Sequence, residues 1–441
     1  MKTYFARDAL LPDGWARDVR IAVDERGDIA VVESNAKGGE PLAGPALPGM
    51  ANLHSHAFQR AMAGLTELRG APDDDFWSWR ELMYRFLERL TPERAQAVAT
   101  QLYIEMLKHG YTAVGEFHYV HDNSAEMLLR HLAAAKESGI AIALLPSLYR
   151  WSNFGCKPLQ PRQMRFDSDP EFVLRMIEQV RKQITPDVVA GVAPHSLRAV
   201  DPGSLKELVK SLATDAPIHI HAAEQTKEVE ECVAALGKRP VEWLLENMDM
   251  DTRWCVVHAT HMTPEETAAL AKSGATAGLC PTTEANLGDG IFPLPAYRAA
   301  GGRYGIGGDS HVSRDPAEEL RLLEYAQRLT ARRRNLVVGE RTPAVGTTLW
   351  LEAAAGGRAL GRRMGAIAPG MRADLVVLDA EHPDLSGRTG DAIANALIFS
   401  GATNLVRDVM VGGAWVVRDG QHARERDAAN TYKRAVAELL I

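Results

Sequence analysis

Cysteine is scarce in this chain, and none of it is paired. Cys156, Cys232, Cys255 and Cys280 are scattered through 441 residues without a CxxC spacing. That pattern argues against a disulfide framework and against a thiolate zinc site, and it points to a reducing compartment. Basic runs are absent and the formal net charge is -7, which argues against nucleic-acid binding. No apolar stretch is long enough to span a bilayer, and the opening Met1-Lys-Thr-Tyr-Phe-Ala-Arg-Asp has no apolar leader core. A cytoplasmic protein that binds neither membrane nor nucleic acid is expected. Repeats and low-complexity tracts are also missing. What is present is ordinary globular composition, 46% apolar and 24% charged, enough for a large core.

The ends of the chain differ from its middle. Val19-Arg-Ile-Ala-Val, a turn at Asp24-Glu-Arg-Gly-Asp and Ile29-Ala-Val-Val read as strand, turn and strand; so do the stretches from Ala373 and from Val406. The middle alternates strands with helical segments, the pattern of a parallel α/β fold. Eight strands are predicted, at Leu47–His54, Thr112–Phe117, Ile140–Leu148, Val188–Ala193, Pro217–His221, Arg253–His258, Thr276–Cys280 and Tyr304–Gly308. The expectation is a (β/α)8 TIM-like barrel over 49–365. A small β-sandwich domain should flank it, built from 1–48 and 366–441, with a helix at the C-terminus. The insertion Asp73–Arg80, with Phe76, Trp77 and Trp79, suits a lid.

Chemistry on such a barrel sits where the strands end. His54 and His56 close the first strand and, at i and i+2, aim the same way. Later strand ends supply His195 and Arg198, His219, His221 and Glu224, His258 and His261, and Asp309 and His311. So many buried polar groups need partners, and a shared metal ion supplies them. Nitrogen and oxygen ligands without thiolate suit Zn²⁺ best, with Fe²⁺, Mn²⁺ or Co²⁺ as alternatives. Three histidines, one aspartate and a water would make an open catalytic site. Glu224, three residues beyond His221, is placed to move protons.

These residues carry a resemblance. His54-x-His56, His221-x-x-Glu224, His258 and Asp309 resemble the mononuclear deaminases of the amidohydrolase superfamily. Longer strings narrow it: Asn52-Leu-His-Ser-His-Ala-Phe-Gln-Arg-Ala-Met-Ala-Gly, Glu116-Phe-His-Tyr-Val-His, His195-Ser-Leu-Arg-Ala-Val, His219-Ile-His-Ala-Ala-Glu-Gln and Thr283-Glu-Ala-Asn-Leu-Gly-Asp-Gly-Ile-Phe-Pro. They resemble the formimidoylglutamate deiminase family along essentially the whole chain. The resemblance implies one divalent metal held by His54, His56, His221 and Asp309. It further implies proton shuttling by Glu224 and a non-ligating hydrogen bond from His258. Substrate contacts are implied for Gln59, Tyr119, His195 and Arg198, on N-formimino-L-glutamate, in a homodimer. Two other functions stay open: a deaminase of a purine, pyrimidine or related ring, and a non-catalytic barrel scaffold. His219 is read as a core residue, His118, His121, His261 and His311 as supporting or structural, and Cys280 as packing. The glycines of Gly305-Ile-Gly-Gly are read as allowing close approach near Asp309 rather than as a nucleotide loop.

Overall fold

The computed structural model describes residues 1–68, 76–340, 342–401 and 403–440, with the backbone alone at 76–78. The stretch 73–75 of the predicted lid lies outside the described residues. From residue 76 the chain forms the helix Phe76–Leu87.

Eight parallel strand positions form the central barrel: β1 (Met50–Ser55), β2 (Tyr111–His118), β3 (Ala141–Leu148), β4 (Val188–Ala190, continued by Ala193–Pro194), β5 (Ile218–Ala222), β6 (Trp254–His258), β7 (Thr276–Leu279) and β8 (Arg303–Ile306). The sheet runs β4-β3-β2-β1-β8-β7-β6-β5. It closes on itself because Val192 N donates to Pro217 O at 2.9 Å, His219 N to Val192 O at 3.0 Å and His221 N to His195 O at 3.0 Å. Their residues are almost all buried, as strands between a packed interior and an outer layer of helices must be. The helices start where side chains satisfy their first amides. Thr91 accepts from Arg94 N, Asp169 from Phe172 N and Asp201 from Ser204 N, each followed by proline at the first helical position.

The predicted first strand, Leu47–His54, is two elements. Ala46–Pro48 belongs to the other sheet, between Lys2–Leu11 and Leu375–Leu378, and the barrel strand begins at Met50. Gly49 makes the break. A Cβ there would sit 2.3 Å from Thr112 Oγ1, so only glycine lets the chain cross from one sheet to the other against β2.

The second sheet joins both ends of the chain. Its order is Gln421–His422, Ala414–Arg418, Val406–Val411, Leu375–Leu378, Ala46–Pro48, Lys2–Leu11, Gly14–Val23 and Ile29–Glu33, with Glu40–Pro41 also on Lys2–Leu11. In a flat sheet, strands four places apart are about 19 Å from each other. Yet the rings of Tyr4 and Trp415, on strands four places apart, meet edge to face at 5.6 Å. The sheet therefore folds over its own core of Tyr4, Ile21, Ile29, Leu375 and Met410, which makes it sandwich-like.

The helix Val345–Gly356 is apolar nearly all round and sits between the two units; Trp350 Nε1 donates to Pro48 O at 3.0 Å. Beneath the barrel, buried Arg362 is held by Asp374 of the second unit and by Asp187, 2.7 Å away, at the foot of β4. Removing one partner of a buried pair leaves an uncompensated charge. Asp374→Ala is expected to cost about 3–5 kcal/mol, read as a lower urea midpoint. The double change Arg362→Met/Asp374→Leu should recover much of it. A wild-type midpoint for Asp374→Ala would show the pair carries no weight. Among the described residues, no helix is long and apolar enough to cross a membrane.

Candidate active site

His54, His56, His221, His258 and Asp309 meet at the C-terminal mouth of the barrel. Backbone pairing sets the first contact. Asp309 N donates to His54 O at 2.9 Å and His56 N to Asp309 O at 3.0 Å, which ties the turn after β8 to the end of β1. Gly307 makes this approach possible, since a Cβ there would lie 2.9 Å from His54 N and Cβ. That is the role expected of this glycine run. His258 and Asp309 adopt left-handed backbone conformations, with φ of 66° and 49°. Such conformations are costly for side chains other than glycine and concentrate at functional sites.

The ring nitrogens then converge. His54 Nε2 lies 3.1 Å from His221 Nε2 and 3.5 Å from Asp309 Oδ1, and His56 Nε2 is also 3.5 Å from Asp309 Oδ1. The other nitrogens fix the tautomers. His56 Nδ1 donates to Phe117 O at 2.8 Å and His221 Nδ1 to His195 O at 2.9 Å. Both Nε2 atoms therefore present lone pairs to the centre. Burial, reinforced by the neighbouring imidazoles, holds His54 and His221 well below the usual histidine range; burial also lowers His56. Lone pairs and a carboxylate crowded in a dry site repel one another unless a cation lies between them. Three neutral imidazoles and one carboxylate fit a divalent metal. Two groups with mutually close ligand atoms, His54–His56–Asp309 and His54–His221–His258, share His54.

Glu224 and His258 face this centre. His258 Nε2 is 3.7 Å from Glu224 Oε1 and 3.8 Å from Asp309 Oδ2, and His258 Nδ1 donates to Glu284 Oε1 at 3.2 Å. Burial alone would lower His258, but Glu224, Glu284 and Asp309 outweigh it and push it up to about 10. Burial raises Glu224 to about 7, where a carboxyl group both gives and takes protons near neutrality.

A cleft of about 550 Å³ opens above, lined by His56, Gln59, Tyr119, His195, Arg198, His221, Glu224 and Asp309. Every residue given a substrate contact by the resemblance therefore lines this cleft. Gln59 Nε2 donates to Tyr119 OH at 2.9 Å. The helix Phe76–Leu87, which begins in the expected lid, adds Trp79, Arg80, Met83 and Tyr84 to the lining, beside Tyr149 and Phe166; the sequence reading missed Met83, Tyr84, Tyr149 and Phe166. Arg80 Nη2 donates to Tyr149 OH at 3.2 Å. It also missed Glu284 behind His258. Below the ligands lies Glu116, which in the sequence stands out only as part of a motif. It accepts from Ser55 Oγ at 2.6 Å, Ala57 N at 3.0 Å and Tyr103 OH at 3.0 Å, clamping the turn between His54 and His56.

The remaining histidines are tied into the scaffold. His219 Nε2 donates to Ala359 O, His121 Nε2 to Ser147 O and His261 Nε2 to Asp289 O, at 2.9, 2.7 and 2.8 Å. His118 packs against His131. His311 Nε2 meets Ser55 Oγ at 2.8 Å. Cys280 is nearer the chemistry than expected, with Sγ within 4.8 Å of His258 and Asp309 ligand atoms. Burial holds its thiol well above the ordinary range, so it stays a neutral packing group.

Comparison with known proteins agrees with this geometry. The Amidohydrolase family model matches residues 46–416, and the model "Formimidoylglutamate deiminase HutF, N-terminal domain" matches residues 1–43. The chain is 51% identical to a formimidoylglutamate deiminase of Pseudomonas aeruginosa over the full length of both. It superposes on the crystal structure of an amidohydrolase from Brucella melitensis with a TM-score of 0.95, at 47% identity and complete coverage of both chains. An adenosine deaminase from Xanthomonas campestris with bound zinc shares the fold at a TM-score of 0.82, 20% identity, and 99% and 98% coverage. The chain belongs to the amidohydrolase family, in its formimidoylglutamate deiminase branch.

Proposed function

We propose that this protein hydrolyses the formimino C=N group of N-formimino-L-glutamate, giving N-formyl-L-glutamate and ammonia, a step of histidine degradation. It is a hydrolase of non-peptide C–N bonds. The observation that carries the reading is the placing of Arg198 and Arg80 in one cleft with Glu224 and the metal-type cluster. The substrate has two carboxylates beside the reacting group. Two guanidiniums are matched to them, and a neutral purine or pyrimidine ring has no use for either.

In this reading His54, His56, His221 and Asp309 hold one divalent ion per chain, zinc by the chemistry of the donors. When bound, such an ion lowers the pKa of a coordinated water and polarises the C=N bond. The chain does the rest. Gln59, Tyr119, His195, Arg198 and Arg80 hold the glutamate portion so that the formimino carbon faces Asp309 and Glu224. Asp309 takes a proton as water oxygen bonds to that carbon, and His258 hydrogen-bonds the reacting centre. Glu224 protonates the departing nitrogen. The C–N bond breaks, Glu224 takes the hydroxyl proton in exchange as the formyl C=O forms, and the nitrogen leaves as ammonium with the proton held by Asp309.

Ammonia release from N-formimino-L-glutamate, run beside guanine, cytosine and adenosine, tests the reading. Turnover of a ring in preference to the glutamate derivative would overturn it in favour of a ring deaminase. A non-catalytic scaffold is disfavoured by the cost of keeping so many buried polar groups. Arg198→Met is expected to leave metal content unchanged and to lower kcat/KM about ten- to a hundredfold, the worth of a charge-assisted contact. Formimino compounds without carboxylates should be poor substrates and insensitive to the change. Equal losses on both would remove Arg198 from carboxylate recognition.

The same reading places the protein in the cytoplasm as a homodimer, with units divided at 48/49 and 365/366. Four free thiols favour a reducing compartment, and sedimentation would read the oligomer.

A further inference from the structure

The loop after the helix Pro281–Leu287 puts one more carboxylate beside the reaction, and the mechanism above leaves it without a task. Asp289 is 4% exposed. Its oxygen Oδ1 accepts from Gln225 Nε2, while Oδ2 has no hydrogen-bond partner among the described residues. The loop is held on both sides. Asp289 N donates to Glu284 O at 2.9 Å, and Asp289 O accepts from His261 Nε2 at 2.8 Å. The carboxylate cannot swing away to water. It faces Glu224 and His258, and ligand atoms of the three lie within 4.8 Å of one another.

A buried, half-satisfied carboxyl group beside a second carboxyl group needs a proton or a cation. Glu224, Glu284 and Asp309 surround Asp289 together with His258. The reaction supplies the matching charge. A formamidine is a strong base and is protonated at neutral pH. Hydrolysis turns it into a neutral formyl group, so the positive charge departs with the nitrogen as ammonium. Two oxygens that each accept a hydrogen bond of 2.9 Å from one tetrahedral ammonium stand about 4.7 Å apart. Ligand atoms of Asp289 and Glu224 lie within 4.8 Å of each other, close enough for one cation to touch both.

We propose that Asp289 and Glu224 form a carboxylate pair that receives the departing nitrogen as ammonium. This inference rests on the formimino reading. Glu224 delivers the proton and keeps one hydrogen bond to the leaving group; Asp289 takes a second and draws the cation away from Arg198 and Arg80.

The test compares wild type with Asp289→Asn, which is isosteric and uncharged, both metal-replete. Wild-type turnover of N-formimino-L-glutamate checks the functional reading by itself, before any variant is made. On that enzyme, ammonium should inhibit, and tetramethylammonium at equal ionic strength should not, because it has no N–H to donate. In Asp289→Asn, ammonium inhibition should disappear and kcat/KM should fall about tenfold or more. Inhibition by the other product, N-formyl-L-glutamate, should be unchanged. Equal inhibition of wild type by ammonium and tetramethylammonium would overturn the proposal without any variant. So would a variant that keeps its ammonium inhibition. A variant that loses affinity for N-formyl-L-glutamate as well would show a structural role instead.

Discussion

His54→Ala is expected to yield a folded protein with neither bound metal nor ammonia release. The reason is its central place. His54 Nε2 stands 3.1 Å from His221 Nε2 and 3.5 Å from Asp309 Oδ1, and it belongs to both of the groups that contain three expected ligands or His258 with two of them. Its removal leaves neither group with three ligands. His221→Ala should behave alike. Elemental analysis of purified protein, read beside a thermal melt, separates loss of metal from loss of fold. Because crowded unprotonated imidazoles are costly, removing one from the metal-free protein should not lower its melting temperature, and metal should raise the wild type's alone. An active His54→Ala preparation with a full metal complement would overturn the ligand assignment.

Glu224→Gln should give the second largest loss, about 10²–10⁴-fold in kcat, with metal content unchanged. An amide has the shape of the carboxyl group but cannot accept a proton and pass it on. Glu224 is partly buried, 3.7 Å from His258 Nε2, and raised to about 7, conditions suited to carrying a proton both ways near neutrality. KM for N-formimino-L-glutamate should change less than kcat, because Arg198 and Arg80 hold the rest of the molecule. Near-wild-type turnover by a metal-replete variant would remove Glu224 from proton transfer.

What could be read in the sequence followed from periodicity. His54 and His56 share a face because strands repeat every two residues, and strand ends of one barrel share a mouth. His221, His258 and Asp309 could therefore be grouped before any coordinates. Gln59, Tyr119, His195 and Arg198 came from longer strings rather than from geometry. Arg80 and Tyr84 could not be grouped so, because a helix inserted after β1 has no periodic relation to the barrel. Their only signal was the aromatic run beside them. Asp289 and Glu284 sit in one of the longer strings, but nothing in its spacing says that a carboxylate there lies behind His258. The single strand expected at Leu47–His54 failed for a local reason. An apolar run looks the same whether it serves one sheet or two, and Gly49 was the mark of the boundary.

The crossing at Gly49 also sets an order of events during synthesis. Ala46–Pro48 pairs on one side with Lys2–Leu11, available almost at once, and on the other with Leu375–Leu378, which leaves the ribosome more than three hundred residues later. At typical elongation rates of about 5–20 residues per second, that wait lasts tens of seconds. Through this interval the nascent sheet has an open edge, and open edges recruit other strands. The barrel is in the same position, since β1 cannot pair with β8 until Arg303–Ile306 is made. A chain released between residues 310 and 375 would carry all the metal-type residues and still present unpaired strand to its neighbours. Nonsense-truncated products of this protein should therefore collect in inclusion bodies rather than persist as weak enzymes.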